Sequence, residues 1–550
     1  MNRALIAKAD GLLSRERGTV YKEPGGKITA CLVYPNSYFV GMSNLGFQGI
    51  YGLLNGYADV VCERAFLPEP QDLEKHLKTG TPIFSLESKR PLNDFDILAF
   101  SISFENDYPS VLRMLDLGGV PRLPFQRGRF HPLVIAGGAC CFFNPEPFAQ
   151  FFDLLFLGES EDSLAEFLNV YRGAAGRADL KEKAAWIEGV YAPEFYEVQY
   201  DDEGMIAGRR ALRDVPVTLK RRVYRDVSRS PVRTSIVTDG TEFSNMYLAE
   251  VMRGCPWSCR FCVVSRIYHP PRKKDPAALK SDIDRARQFK ARVGLVGPSL
   301  SDYPHLREIL SIDDVSFSIT SLRATPESGD IIEFLKGRRS VSIAPEAGTE
   351  RMRMIINKQV TEQDILETAS RLFNAGIGTL RLYFMVGLPF EEPEDTEGIV
   401  RLVMRVKDLS ATGSVVASVS TFVSKPFTPF QWHPMEAVSS ARGKVRHIKK
   451  ALRDVRGVKV LHDLPKYAGM QGLFSRGDRR VGKVLVEMTE TDDWAKASVR
   501  AGVDPDFYIL RPRSFDETLP WDFIDIGIPK ERLWQDYLKA LELSKRDRDA

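Results

Sequence analysis

Glu250-Val-Met-Arg-Gly-Cys-Pro-Trp-Ser-Cys-Arg-Phe-Cys262 decides how this chain is read, because it gathers Cys255, Cys259 and Cys262, three of the seven cysteines, at the spacing C-x3-C-x2-C. Three thiolates this close can cap one soft metal centre. A closed four-iron cluster or a tetrahedral structural zinc site takes four ligands. A cubane held by three cysteines therefore keeps one iron open, where a substrate or cosubstrate can coordinate and receive an electron. Upstream, residues 245–252 read as a strand that delivers Gly254 and Cys255 into a loop. Phe261 supplies an aromatic wall beside the last cysteine. The competing reading is a zinc site completed by a later histidine such as His269, although zinc sites more often come as paired C-x2-C arms.

Downstream of the loop the pattern repeats as strand then helix. Expected strands cover residues 292–297, 314–323, 340–346, 379–389 and 415–423, which with the strand before the cysteines makes six βα units over 241–430. In such a partial barrel the active site lies at the carboxyl ends of the strands. Upstream, apolar strands at 28–34, 59–64, 95–104, 133–138 and 154–158 alternate with helices, which indicates a parallel sheet covered on both faces. This gives a Rossmann-like doubly wound domain over 28–175, after an extension at 1–27. Residues 176–240 form a β-rich connector with a hairpin turn at Asp201-Asp-Glu-Gly204. A mixed α/β region fills 431–550. The fold class is α/β throughout.

Composition narrows the function classes. A net charge of +3 over 550 residues does not call for nucleic acid or an acidic membrane. No run approaches the length of a membrane span, and the N-terminus lacks an apolar signal core. Seven cysteines, three of them clustered, suit a reducing cytoplasm better than a disulfide framework. Lys220-Arg-Arg222 with Arg225 forms a basic cluster, read as a solvated linker face rather than an RNA contact. The polar, basic end of 473–480 either lines an entrance or caps a helix. Cys140 and Cys141 read as small buried residues.

C-x3-C-x-aromatic-C on the loop after a strand, followed by a six-unit βα core, resembles the radical S-adenosylmethionine superfamily. The N-terminal domain resembles the cobalamin-binding Rossmann-like domain that precedes many of its cores, and the likeness to one such fused, uncharacterised family runs over nearly the whole chain. The resemblance implies a [4Fe-4S] cluster on Cys255, Cys259 and Cys262. It also implies S-adenosylmethionine on the open iron, and reductive cleavage to methionine and a 5′-deoxyadenosyl radical. Gly297-Pro-Ser299 stands where the family has a Gly-rich turn for the methionine amino group, although the usual Gly-Gly-Glu is not kept. By the same resemblance Arg323 pairs with the methionine carboxylate, Glu346 holds the ribose or carboxylate end, and Gly387-Leu-Pro389 lies beside the adenine. Gly137, Gly138 and Ser103, at strand ends of the N-terminal domain, are the candidates for cobalamin, whose histidine signature Asp-x-His-x-x-Gly is absent. A flavodoxin or ferredoxin is the implied electron donor.

With cobalamin the implied reaction is methyl transfer to a poorly nucleophilic carbon or phosphorus. Two alternatives stand beside it. One is a methylthiotransferase acting on tRNA or a ribosomal protein. Such enzymes carry three further cluster cysteines in their N-terminal domain, whereas Cys31, Cys62, Cys140 and Cys141 fall in or after apolar strands here. The other is a non-catalytic zinc- or cluster-bearing scaffold, which the near-neutral charge and the βα core argue against.

Overall fold

A computed structural model describes residues 2–319 and 321–546. The N-terminal sheet contains β1 (Ile28–Tyr34), β2 (Val60–Phe66), β3 (Ile97–Ser101), β4 (Leu133–Gly137), β5 (Leu154–Phe156) and β6 (Val190–Tyr191). Its strand order is 2-1-3-4-5-6, parallel except at the β6 edge. Helices such as Leu45–Gly56, Tyr108–Leu117 and Ser160–Gly173 cover the sheet, and its strands are apolar because both faces are buried. The order reverses between β1 and β3. That reversal opens a crevice at the carboxyl ends of the strands, where doubly wound sheets take their ligands. The first residues are tied to this domain: Glu16 and Glu87 both bond the buried guanidinium of Arg64, at 2.7 Å each.

The connector folds as the antiparallel hairpin β7 (Tyr196–Tyr200) and β8 (Ile206–Ala211), then the short β9 (Leu219–Lys220). Next come β10 (Met246–Glu250), β11 (Met252–Arg253), β12 (Arg272–Lys273), β13 (Arg292–Val296), β14 (Phe317–Ser318) and β15 (Ser321–Leu322). They are followed by β16 (Ser340–Glu346), β17 (Thr379–Val386), β18 (Ser414–Thr421), β19 (Val458–His462) and β20 (Ile524–Asp525). The core is two parallel sheets, β10-β13-β14 and β15-β16-β17-β18-β19. Two differences from the sequence reading stand out. The strand expected over 314–323 is two short pieces in different sheets. The sheet also gains β19 from beyond residue 430, and β20 pairs back onto β9.

Along β17, Leu380, Leu382, Phe384 and Val386 pack outward into the core shared with the helices Glu362–Asn374, Pro393–Asp408 and Val438–Leu452. Arg381, Tyr383 and Met385 alternate with them on the opposite, more open face. Among the described residues no helix is long and apolar enough to cross a membrane.

Charged groups join the two halves, and some of them were expected to face solvent. Arg221 is buried and donates to the carbonyls of Ile267, His269 and Ile526. Arg222 bonds Glu166 at 2.6 Å. Within the basic cluster, Arg221 and Arg222 are therefore an internal fastening, while Lys220 and Arg225 stay exposed as a solvated linker face would. Likewise Arg476 and Arg479, in the 473–480 stretch, point inward. Arg476 bonds backbone carbonyls and Ser424, and Arg479 bonds Glu146 at 2.8 Å. A third knot ties the N-terminal domain to the strand before the cysteines. Arg253 donates to Glu161 at 2.7 Å and to both oxygens of Glu250, and Arg272 grips both oxygens of Glu159 at 2.7 Å. Removing one partner from such a buried knot leaves a charge uncompensated. Arg253→Ala is expected to lower stability by about 3–5 kcal/mol, read as an earlier urea midpoint in tryptophan fluorescence.

Candidate functional site

Gly254 starts the cysteine loop at φ +77°, and a Cβ there would stand 2.3 Å from the carbonyl oxygen of Tyr268. Only glycine lets the chain turn out of β11 at this point. All three cysteines are free thiols, Cys259 buried and the other two half-buried. Burial raises the Cys255 thiol and pushes Cys262 up to about 11, with Cys259 next to it adding repulsion. Thiols in this setting become thiolates when a metal ligates them.

The loop is pinned from three sides. The Trp257 indole N–H donates to Asp302 at 2.6 Å, and the Arg323 guanidinium stacks 3.7 Å above the Trp257 ring. Asn357 donates to the Ser258 carbonyl at 3.0 Å, while Arg260 donates to the carbonyls of Ile355 at 2.7 Å and Met354 at 3.1 Å. From the C-terminal helix Lys530–Arg546, Asp536 accepts from Arg260 Nε at 3.0 Å. Phe261 leans on an apolar group that includes Met352, Ile355, Leu388 and Phe430. Among the described residues no three His, Cys, Asp or Glu side chains gather around a single-ion position. A four-iron cubane asks for something different, since each of its cysteines binds a separate iron. Three thiols on one rigid loop, with the Nε atoms of Arg266 and Arg323 buried and unpartnered nearby, fit an anionic group of that kind.

The other expected residues sit at strand ends on the same side. Gly297 and Pro298 follow β13, with Met252 Cγ 2.9 Å from where a Gly297 Cβ would be, and Ser299 is buried behind them. Arg323 is partly engaged already, donating to the carbonyls of Lys358 at 2.7 Å and Gln359 at 3.3 Å. Glu346 ends β16 at φ +68°, where the pairing with β17 slips, and accepts from Lys358 at 2.9 Å. A left-handed glutamate at a strand end stores strain of about 1–3 kcal/mol. Gly387 follows β17 at φ +77° and donates its N–H to Glu391 at 2.7 Å. Burial pushes Glu391 up to about 7, although Lys444 bonds it.

Gly137, Gly138 and Ser103 lie in the wall of a cavity of about 460 Å³ that the sequence did not reveal. One side is the crevice of the N-terminal sheet, lined by Ala99, Gly137, Phe167 and Asn44. The other is Arg253, Gly254, Val264 and Tyr268, which flank the cysteine loop, together with Gly297 and Pro298. Gly138 sits at φ +104°, and a Cβ there would stand 2.5 Å from the Ile102 carbonyl oxygen, so its turn requires glycine; a Cβ at Gly137 would only touch Phe156, at 3.8 Å. Glu159 and Glu161, just after β5, also line this cavity and were missed. The cue was present: a strand ending in Gly158 and followed by Glu-Ser-Glu before a helix.

Two family models match the chain: "Radical SAM proteins, N-terminal" over residues 46–193 and "Radical SAM superfamily" over residues 249–403. A relative, "Uncharacterized protein MJ0966" of Methanocaldococcus jannaschii, is 28% identical over 461 residues, spanning 82% of this chain and 90% of its own. Among solved structures, the cobalamin-dependent S-adenosylmethionine radical enzyme OxsB with aqua-cobalamin bound aligns at 13% identity, covering 95% of this chain and 80% of that one, with a TM-score of 0.48. OxsB with aqua-cobalamin and S-adenosylmethionine aligns at 12% identity over the same shares, with a TM-score of 0.47.

Behind the cavity rim, Asn44 donates to Ser103 at 3.2 Å, and Asn36 donates to Asp107 at 2.8 Å. Burial pushes the Asp107 carboxyl up to about 7; the Asn36 amide opposes this and Glu105 adds to it. Between its ordinary value near 3.8 and about 7 the folded chain holds a proton that the unfolded chain has released. Asp107 therefore makes stability fall as pH rises through that window. Asp107→Asn should flatten the decline and raise stability at pH 8 by roughly 2–4 kcal/mol, measured by urea unfolding at a series of pH values.

Proposed function

Because this chain belongs to the radical S-adenosylmethionine superfamily, we propose that it is a cobalamin-dependent methyltransferase of that superfamily. In this reading Cys255, Cys259 and Cys262 hold a [4Fe-4S] cluster with one open iron, and the neighbouring cavity takes a corrinoid. When bound and reduced, the cluster supplies an electron that splits S-adenosylmethionine into methionine and a 5′-deoxyadenosyl radical, and the corrinoid supplies a methyl carrier. The observation that carries the reading is one juxtaposition: residues at both ends of the cysteine loop form a wall of the crevice cavity.

The protein's part is placement and exclusion of water. Gly254 and the Trp257–Asp302 and Arg260 contacts fix the thiol-bearing backbone. The turns at Gly297–Ser299, Glu346 and Gly387 offer backbone and carboxylate groups to S-adenosylmethionine on the same side. In the N-terminal domain, Ala30, Ala99 and Gly137 put little side chain into the cavity wall, which would leave room there for a corrinoid. Cys31 and Cys62 are buried in β1 and β2, and Cys140 and Cys141 in the helix after β4. That burial favours this reading over a methylthiotransferase with a second cluster.

Anaerobic reconstitution with iron and sulfide, followed by a 5′-deoxyadenosine assay, tests the first half. About four irons per chain, with product lost in Cys259→Ala, is the expected result; zinc in place of iron and no product would sink it. For the second half, the chain should retain a corrin spectrum after gel filtration with hydroxocobalamin. Ala99→Leu should lose that spectrum while still producing 5′-deoxyadenosine.

A further inference from the structure

Arg266 lies on the short helix Val264–Ile267 that leaves the cysteine loop, and only 7% of it is exposed. Its Nε and Nη2 are buried and have no hydrogen-bond partner. The carboxylate oxygen that faces it, on Asp536, stands at 3.7 Å, and that group already accepts from Arg260. Cys262 and Cys259 are within electrostatic reach on the loop side, while Arg532 adds repulsion. A buried guanidinium without a full counter-charge is costly. Arg253 shows the alternative within the same chain, since three carboxylates surround it.

We propose that Arg266 is a positioning residue of the cluster: its N–H groups, which have no partner in the chain itself, would take the sulfur of a bound cluster as acceptor and hold its reduction potential up, with Asp536 on the C-terminal helix moderating that effect. The inference rests on the cluster reading above. Hydrogen bonds to cluster sulfurs and nearby positive charge both favour the reduced, more negative state. The C-terminal helix thereby acquires a role at the cluster that its distance along the chain conceals.

The sign of each substitution follows. Arg266→Gln removes a positive charge and should make the reduced-to-oxidised ratio about tenfold smaller at a fixed potential, a downward shift of about 59 mV for a one-electron couple. Arg266→Lys keeps the charge and should stay closer to wild type. Asp536→Asn unmasks the guanidinium and should shift the potential the other way. The experiment is a dithionite titration of the reconstituted full-length chain, followed by electron paramagnetic resonance, with iron content measured on each sample. Thermal melting of apo and reconstituted protein gives a second readout. Arg266→Gln should shrink the gain in melting temperature that reconstitution brings, because the apo chain no longer buries an unpaired cation.

Opposite shifts in Arg266→Gln and Asp536→Asn would support the proposal. A wild-type cluster of full iron content whose potential is unchanged in Arg266→Gln would overturn this inference alone. If Arg266→Gln fails to fold, an unchanged or lowered potential in Asp536→Asn overturns it instead. A wild-type chain that takes up no iron overturns both readings.

Discussion

Three thiols on one loop repel one another once they are deprotonated, so the backbone that carries them must be held by contacts that do not involve sulfur. Here those contacts come from the polar atoms between the cysteines. Trp257 reaches Asp302 beyond β13, Ser258 accepts from Asn357, and Arg260 threads its guanidinium into the carbonyls at 354–355. One anchor follows β13 and the others sit at the end of the helix Glu350–Ile355, so the loop can keep its shape only when the surrounding core is assembled. The site is thus a consequence of the tertiary fold, although the cysteines that define it are neighbours in sequence.

The same logic explains where the loop sits. A doubly wound sheet opens a crevice where its strand order reverses, and a βα core presents its strand ends on one side. The chain turns these two openings toward each other. Arg253 locks the arrangement through carboxylates from both halves, and it immediately precedes Gly254. Domain docking and the entry of the cysteine loop are therefore one structural event. The strained Glu346 and the left-handed turn at Gly387 gather at the carboxyl ends of the core strands, the side on which such folds place their chemistry.

Much of this was legible in the sequence, for identifiable reasons. The cysteine spacing is local, and the N-terminal strands are apolar runs long enough to be recognised between helices. Strand 314–323 was misread because its Ser-Phe-Ser-Ile-Thr-Ser run alternates well on paper, yet pairing gives it only two residues in each of two sheets. β19, Val-Lys-Val-Leu-His, is short and half polar, and nothing local says that it extends a sheet begun more than a hundred residues earlier. The arginines deceived most. Arg221 and Arg222 look solvated because charge usually is, and Arg476 and Arg479 look fit for an entrance or a cap; only the folded chain shows their acceptors. The cavity was illegible for the same reason, since its two walls are far apart in sequence.

Buried arginines then give the site its chemical character. Arg476 spends its guanidinium on backbone carbonyls and the Ser424 hydroxyl, and Arg64 and Arg253 are matched by carboxylates. These are the two ordinary ways of keeping such a group away from water. Arg266 follows neither, although it is buried as they are and lies one short helix from Cys262. Its surroundings supply part of a counter-charge from Asp536 and leave the remainder on the side of the thiols. That imbalance lies where three cysteines can be joined by an anionic group. The electrostatics of the protein matrix and the spacing of the cysteines thus point to the same place, and they do so independently, because one is read from the packing of distant elements and the other from thirteen consecutive residues.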